Sequence, residues 1–195
     1  MKSFRYFRMV PLLVAACLLG GCGGPAGTPA TPRATAAGGA GKAGALTLCR
    51  TVVLAVSVNA EQAGVAAGST YLPLNFTNTS GTACEMNGFP GVSLVTAPQG
   101  KQVGATGAHA RSFGASRVVL EPGHSAHAWL QVARARNYPA RGCGPVVAGW
   151  LRVYPPGQTA ATYVPHNISA CRSAADAIVT VLPVRPGIAA RGSVP

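Results

Sequence analysis

Few side chains in this chain are equipped for chemistry, and the cysteines come first. There are six. Cys22 closes the run Leu19-Gly20-Gly21-Cys22, where small residues leave the backbone open to a peptidase and the thiol can accept a diacylglycerol. That is the pattern of a bacterial lipobox, so Cys22 is the expected lipidation site, with palmitate among the acyl chains. The alternative Val14-Ala15-Ala16-Cys17 fits loosely, because cutting there leaves a very short apolar core. Cys49, Cys84, Cys143 and Cys171 remain. An even number of cysteines outside the cytosol implies two disulfides, and four allow three pairings.

Groups suited to catalysis are scarce. The acids are Glu61, Glu85, Glu121 and Asp176, far apart in sequence and without a pairing pattern for acid–base work. Neither a Gly-x-Ser-x-Gly elbow nor a His-Glu-x-x-His helix occurs. The histidines are His109, His124, His127 and His166. His124 and His127 stand on opposite faces of any strand that holds both, which suits a metal poorly. Met86 is the sole methionine beyond the leader, too few for a copper carrier. We therefore expect no enzyme, no metal site and no cofactor. The Asn-x-Ser/Thr sequons at Asn75, Asn78 and Asn167 read as chance. Phe89-Pro90-Gly91 reads as a hydrophobic plug at one end of the fold.

Recognition is the better prospect. With Leu151 and Val153 pointing inward, Trp150, Arg152 and Tyr154 share the opposite face. With Leu130 and Val132 inward, His127, Trp129 and Gln131 point outward. Both tryptophans, a tyrosine and an arginine would then form a flat face for stacking on sugars or peptides. The expectation is that the indoles of Trp129 and Trp150 are at least partly exposed.

These residues need elements to hold them. Residues 1–21 form a signal segment, with Lys2, Arg5 and Arg8 ahead of an apolar run from Met9 to Leu19. That run is shorter than the roughly 20 residues a membrane span requires. Residues 22–45 carry the anchor and a Gly/Ala/Pro/Thr tether with a reach of about 25–30 Å. Residues 46–186 form one domain, and 187–195 a loose tail. The chain has 16 basic and 4 acidic residues; without the three basic residues of the leader the side-chain charge is +9. Such a domain at a membrane surface favours anionic lipid, cell-wall polymer or an exported protein, and the location argues against nucleic acid.

Alternating segments fall at 51–58, with Val52, Leu54, Val56 and Val58 on one face, and at 69–77, with Leu72, Leu74 and Phe76 inward. Pro73 suggests an edge or a bulge. Further strands are read at 92–96, 117–120 and 125–133, the last with Ala126, Ala128, Leu130 and Val132 on one side. Others are read at 146–154, with Val147, Leu151 and Val153 on one side, and at 159–164 and 177–182. Seven to nine short strands with turns between them predict an all-β fold, an antiparallel immunoglobulin-like β-sandwich. Strand direction then chooses the disulfides. Cys49 precedes a strand whose antiparallel neighbour ends before Cys84, and Cys143 and Cys171 bracket another such pair. This predicts Cys49–Cys84 and Cys143–Cys171, each closing about 30–36 residues and contributing about 3–4 kcal/mol.

Several blocks resemble a known family. They are Gly68-Ser69-Thr70-Tyr71, Phe76-Thr77-Asn78-Thr79-Ser80, and Cys84 with Gly88-Phe89-Pro90-Gly91-Val92. Leu120-Glu121-Pro122-Gly123 with Ser125-Ala126, Cys143-Gly144-Pro145, and Leu151-Arg152-Val153-Tyr154-Pro155-Pro156-Gly157-Gln158-Thr159 follow in order. Together they resemble the actinobacterial secreted domain of unknown function 4232, over about residues 48–183. The resemblance implies a β-sandwich in exported proteins and lipoproteins, and it implies no reaction. The expected role is a non-catalytic binding or interaction module, lipid-anchored on the outer face of the cytoplasmic membrane. A structural spacer of the envelope is the alternative, and a hydrolase a weaker one.

Overall fold

The computed structural model describes residues 46–191, 193 and 195. The leader, Cys22 and the tether lie outside the described residues. Among the described residues thirteen strands make up nearly half, with a single four-residue helix, α1 (Ala140–Cys143), and four short 3-10 turns. The strands are β1 (Leu54–Val58), β2 (Gly64–Ala66), β3 (Ser69–Asn78), β4 (Cys84–Asn87), β5 (Gly91–Val95), β6 (Gln102–Val103) and β7 (Ala108–His109). Then follow β8 (Arg117–Leu120), β9 (Ser125–Ala133), β10 (Pro145–Tyr154), β11 (Thr162–Cys171), β12 (Val179–Val181) and β13 (Arg185–Pro186).

Three sheets result. The first has the order β1-β3-β9-β12-β7, with β2 added to β3 and β13 to β9. The second has the order β11-β10-β5-β6, and β4 and β8 form a separate ribbon. Pairing between the named strands is antiparallel except between β12 and β7, where Thr180 and Val181 run parallel to Ala108 and His109; the isolated bridge Leu48–Glu85 is parallel too. The fold is thus all-β, and the purely antiparallel expectation yields at this edge. The strand count exceeds seven to nine because β2, β6, β7 and β13 have only two or three residues, too few to display alternation.

Leu72, Leu74 and Phe76 of β3 and Ala126, Ala128, Leu130 and Val132 of β9 are buried in the main core. Leu94, Leu151, Val153 and Val164 of the second sheet belong to the same cluster. Both sheets therefore turn one face to a shared interior, and their other faces point away from it. Two readings of face change. Val52 sits in a 3-10 turn before β1 and is 75% exposed, because the alternation starts only at Leu54. Val147 is 62% exposed. Around Gly149 the β10–β11 register shifts, with His166 and Asn167 facing that one residue between the pairs Ala148–Ile168 and Trp150–Pro165. The irregularity resets the phase of β10: Ala148 faces the core before it, Leu151 and Val153 after it.

Pro73 lies inside a central strand, not at an edge. Its carbonyl accepts from the Asn59 amide on the β1 side, so its nitrogen points the same way, between the last residue paired with β1 and the first paired with β2. The missing donor falls in that gap. Asn78, at the end of β3, is fully buried. Its Nδ2 donates to the carbonyls of Thr82 (2.8 Å) and Leu120 (2.9 Å), and its Oδ1 accepts from the amide and hydroxyl of Ser80. The Asn78 side chain thus ties β3 to β8.

The disulfides pair Cys49 with Cys84 and Cys143 with Cys171. The second closes the β10–β11 ladder, where Pro145 is opposite Cys171. Gly104 crosses the end of this ladder at φ +68°, and a Cβ there would lie 2.6 Å from the Cys171 carbonyl oxygen. Only glycine accepts both the dihedral and the contact. The segment read as a loose tail is packed at its start. The Gly187 amide donates to the Ser125 carbonyl, and Ala189 is 1% exposed.

Candidate functional site

A cavity of about 420 Å³ opens at the edge where the first sheet meets β11. Its wall on one side is the start of β3 and the end of β9. Beyond Ala133 the chain enters a 3-10 turn, Ala135–Asn137. Ala135 drops into the core, and Arg134 and Arg136 on either side of it are left toward the cavity and solvent. This turn is fixed from outside. The Arg134 amide and the Asn137 side chain both donate to the Gly68 carbonyl, at 3.1 and 2.9 Å. Gly68 has φ +75°, and a Cβ there would press on the Asn137 amide at 3.0 Å.

The opposite wall is the irregular stretch of β11. His166 lies in phase with the core-facing Val164 and Ile168 but sits at the mouth of the cavity, half-buried. Burial disfavours the imidazolium and lowers the His166 pKa below its usual 6.5. The ring is therefore neutral at pH 7. No protein group among the described residues hydrogen-bonds it. The floor is apolar: Leu72, Val132, Ala135 and Ile168. Polar groups on the rim are the two arginines, His166, Asn167, Thr70 and Ser169. No carboxylate lines the cavity, and the ion pair among the described residues, Arg117 with Glu85, lies elsewhere.

The expected aromatic face is divided. Trp129 and His127 stand on β9 of the first sheet, and Trp150, Arg152 and Tyr154 on β10 of the second. Core-facing neighbours on both strands share one interior, so the two groups point in opposite directions. Trp129 is 5% exposed. It packs with Tyr71, Leu182 and Ala189, the last two from the C-terminal stretch. His127 lies edge-on to Trp129, and its Nδ1 is 2.9 Å from the Gly187 carbonyl oxygen. Residues beyond β12 thus seal this face. Trp150 remains half-exposed beside Arg152 and Tyr154. The Arg152 guanidinium donates to Gln102 Oε1 at 2.6 Å and lies 6.0 Å from the Tyr154 ring centroid. The single platform is thus corrected to a closed patch and a smaller open one.

The remaining histidines are also separate. His124 is exposed in the turn after Glu121, and His109 stacks on Phe89 at 4.9 Å. Among the described residues, no three His, Cys, Asp or Glu side chains gather in a metal-binding group. The cavity residues escaped the sequence reading because Pro165 breaks the pattern. A proline inside an alternating run signals an edge strand. Continuing the alternation past it through Val164, His166, Ile168 and Ala170 would have placed a histidine on the inner side of an edge strand.

Among curated proteins and among solved structures no relative matches this chain. One family does: the Domain of unknown function (DUF4232) matches residues 49–186, from the first disulfide cysteine to the end of β13. That match covers most of the chain and all of the sheet-forming region, and the chain therefore belongs to the DUF4232 family.

Proposed function

We propose that this protein is an exported lipoprotein of actinobacterial type, tethered through Cys22 to the outer face of the cytoplasmic membrane, whose immunoglobulin-like β-sandwich is a non-catalytic binding module. The leader pattern and the two disulfides support export. The observation that carries binding is the cavity between β9 and β11, with its apolar floor and polar rim. Its size lies within the range of about 300–1,000 Å³ common for small-molecule sites. Binding is favoured over hydrolysis because its lining offers no carboxylate, and among the described residues His166 is hydrogen-bonded to neither a hydroxyl nucleophile nor an orienting acid.

A fragment library of mixed charge, titrated into the isotope-labelled lipidated protein in nanodiscs, tests the binding part. Amide shifts should concentrate at Arg134–Arg136 and His166–Ser169. Shifts scattered elsewhere, or none, would sink the reading. Lipid labelling tests the anchor: Cys22→Ser should abolish incorporation of labelled palmitate and release the protein from the membrane fraction. Undiminished labelling would refute Cys22 as the site.

A further inference from the structure

We infer that the cavity between β9 and β11 takes a small amphiphile with one anionic head and an apolar body; this rests on the binding reading above and names its ligand class. Three observations converge. Arg134 and Arg136 are the charged side chains of the lining, and neither has an acidic partner among the described residues. Two guanidiniums so placed attract one carboxylate or phosphate group. Their backbone is held by the Gly68 carbonyl and by the burial of Ala135, so the pair is mounted on a fixed turn.

The second observation is the floor. Leu72, Val132, Ala135 and Ile168 are each nearly buried, yet they line an open space. An inorganic anion would leave that surface wet, whereas an apolar body displaces the water. The third is His166. It stands on the rim in phase with the floor residue Ile168, free of protein hydrogen bonds among the described residues. A neutral imidazole can donate with one nitrogen and accept with the other, which suits an amide or hydroxyl linking head to body. The cavity is also bounded by two sheets and a turn, which admits a small molecule better than a polymer lying across the surface.

N-acetylphenylalanine carries all three parts, and its amide lacks only the charge. Titration of the lipidated protein in nanodiscs should give saturable shifts at Arg134–Arg136 and His166–Ser169 with the acid. The amide should bind about tenfold more weakly, and acetate weaker still. Replacing both arginines (Arg134→Gln with Arg136→Gln) should remove the preference for the acid and leave amide binding unchanged. Phenyl phosphate in place of the acid decides which head is favoured; binding by either supports the class. Equal affinity of acid and amide, or a preference for acetate, overturns the anionic amphiphile. In that outcome fragments of another class at the same residues still uphold the binding module, so the two failures are distinguishable.

Discussion

Trp129 and Trp150 occupy comparable positions and meet different fates. Each lies on a long strand beside core-facing aliphatic residues, on the face turned from the shared interior. Trp129 is closed over by Leu182 and Ala189, and Trp150 is left half-exposed. Alternation decides which face a side chain takes. It does not decide whether chain from far along the sequence covers that face. In the first sheet it does: Leu182 and Ala189 pack on Trp129, and the Gly187 carbonyl oxygen lies against the His127 ring, 60 residues along the chain.

The largest expected effect tests this contrast directly. Trp129→Ala should cost about 3–5 kcal/mol in urea unfolding, as for a large aromatic removed from a packed site. Trp150→Ala should cost about 1 kcal/mol. Equal losses would break the comparison. Removing residues 187–195 should come next, at about 1–2 kcal/mol, through lost burial of Ala189 and the lost hydrogen bond to His127. The same truncation should red-shift the Trp129 emission in a Trp150→Phe background and raise its quenching by acrylamide. Unchanged emission would mean that the seal lies elsewhere.

Smaller effects sharpen the contrast between the sealed face and the open cavity. Burial holds the His166 pKa below 6.5 in the folded domain. Well above pH 6.5 the ring is neutral in both folded and unfolded chains and makes no difference. As pH falls through 6.5, the unfolded chain takes up the proton first, so stability drops until the folded pKa is reached and then levels. His166→Asn should flatten that part of the stability–pH curve; an unaltered slope would remove the assigned cause. The smallest effect belongs to Arg134→Gln with Arg136→Gln, at about 0.5 kcal/mol or less. A large loss would make these arginines structural supports and not cavity groups.

Much of this was legible from residue order. The boundaries of β8 and β9 follow directly from alternation and the Glu121-Pro122-Gly123 turn, and the cysteine pairs follow from strand direction. What was hidden has local causes. The shift at Gly149 reverses the face of Val147 without any change in residue type. Pro165 interrupts β11 near its middle, so the strand expected at 159–164 stops short of His166 and Asn167. The role of Asn78 was hidden because its partners come from Ser80 and Thr82 nearby and Leu120 far away, and one of these bonds needs the tertiary fold. The cavity is harder still to foresee, since it joins β3, the turn after β9 and β11, three segments with no common motif.

The first disulfide has a mechanical meaning. Cys49 lies ahead of β1, its amide donates to the Glu85 carbonyl, and Glu85 in turn donates to Thr47. A pull on the chain from the N-terminal side reaches the Cys49–Cys84 bond before it reaches β1. The load passes into the β4–β8 ribbon across a covalent link, and β1 is not unzipped from β3 one hydrogen bond at a time. Once the bond is reduced, the same pull first strips the short Thr47–Cys49 pairing and then loads the Thr51–Val53 turn that leads into β1. The oxidised domain thus carries a load from its N-terminal side into β4 through a covalent bond.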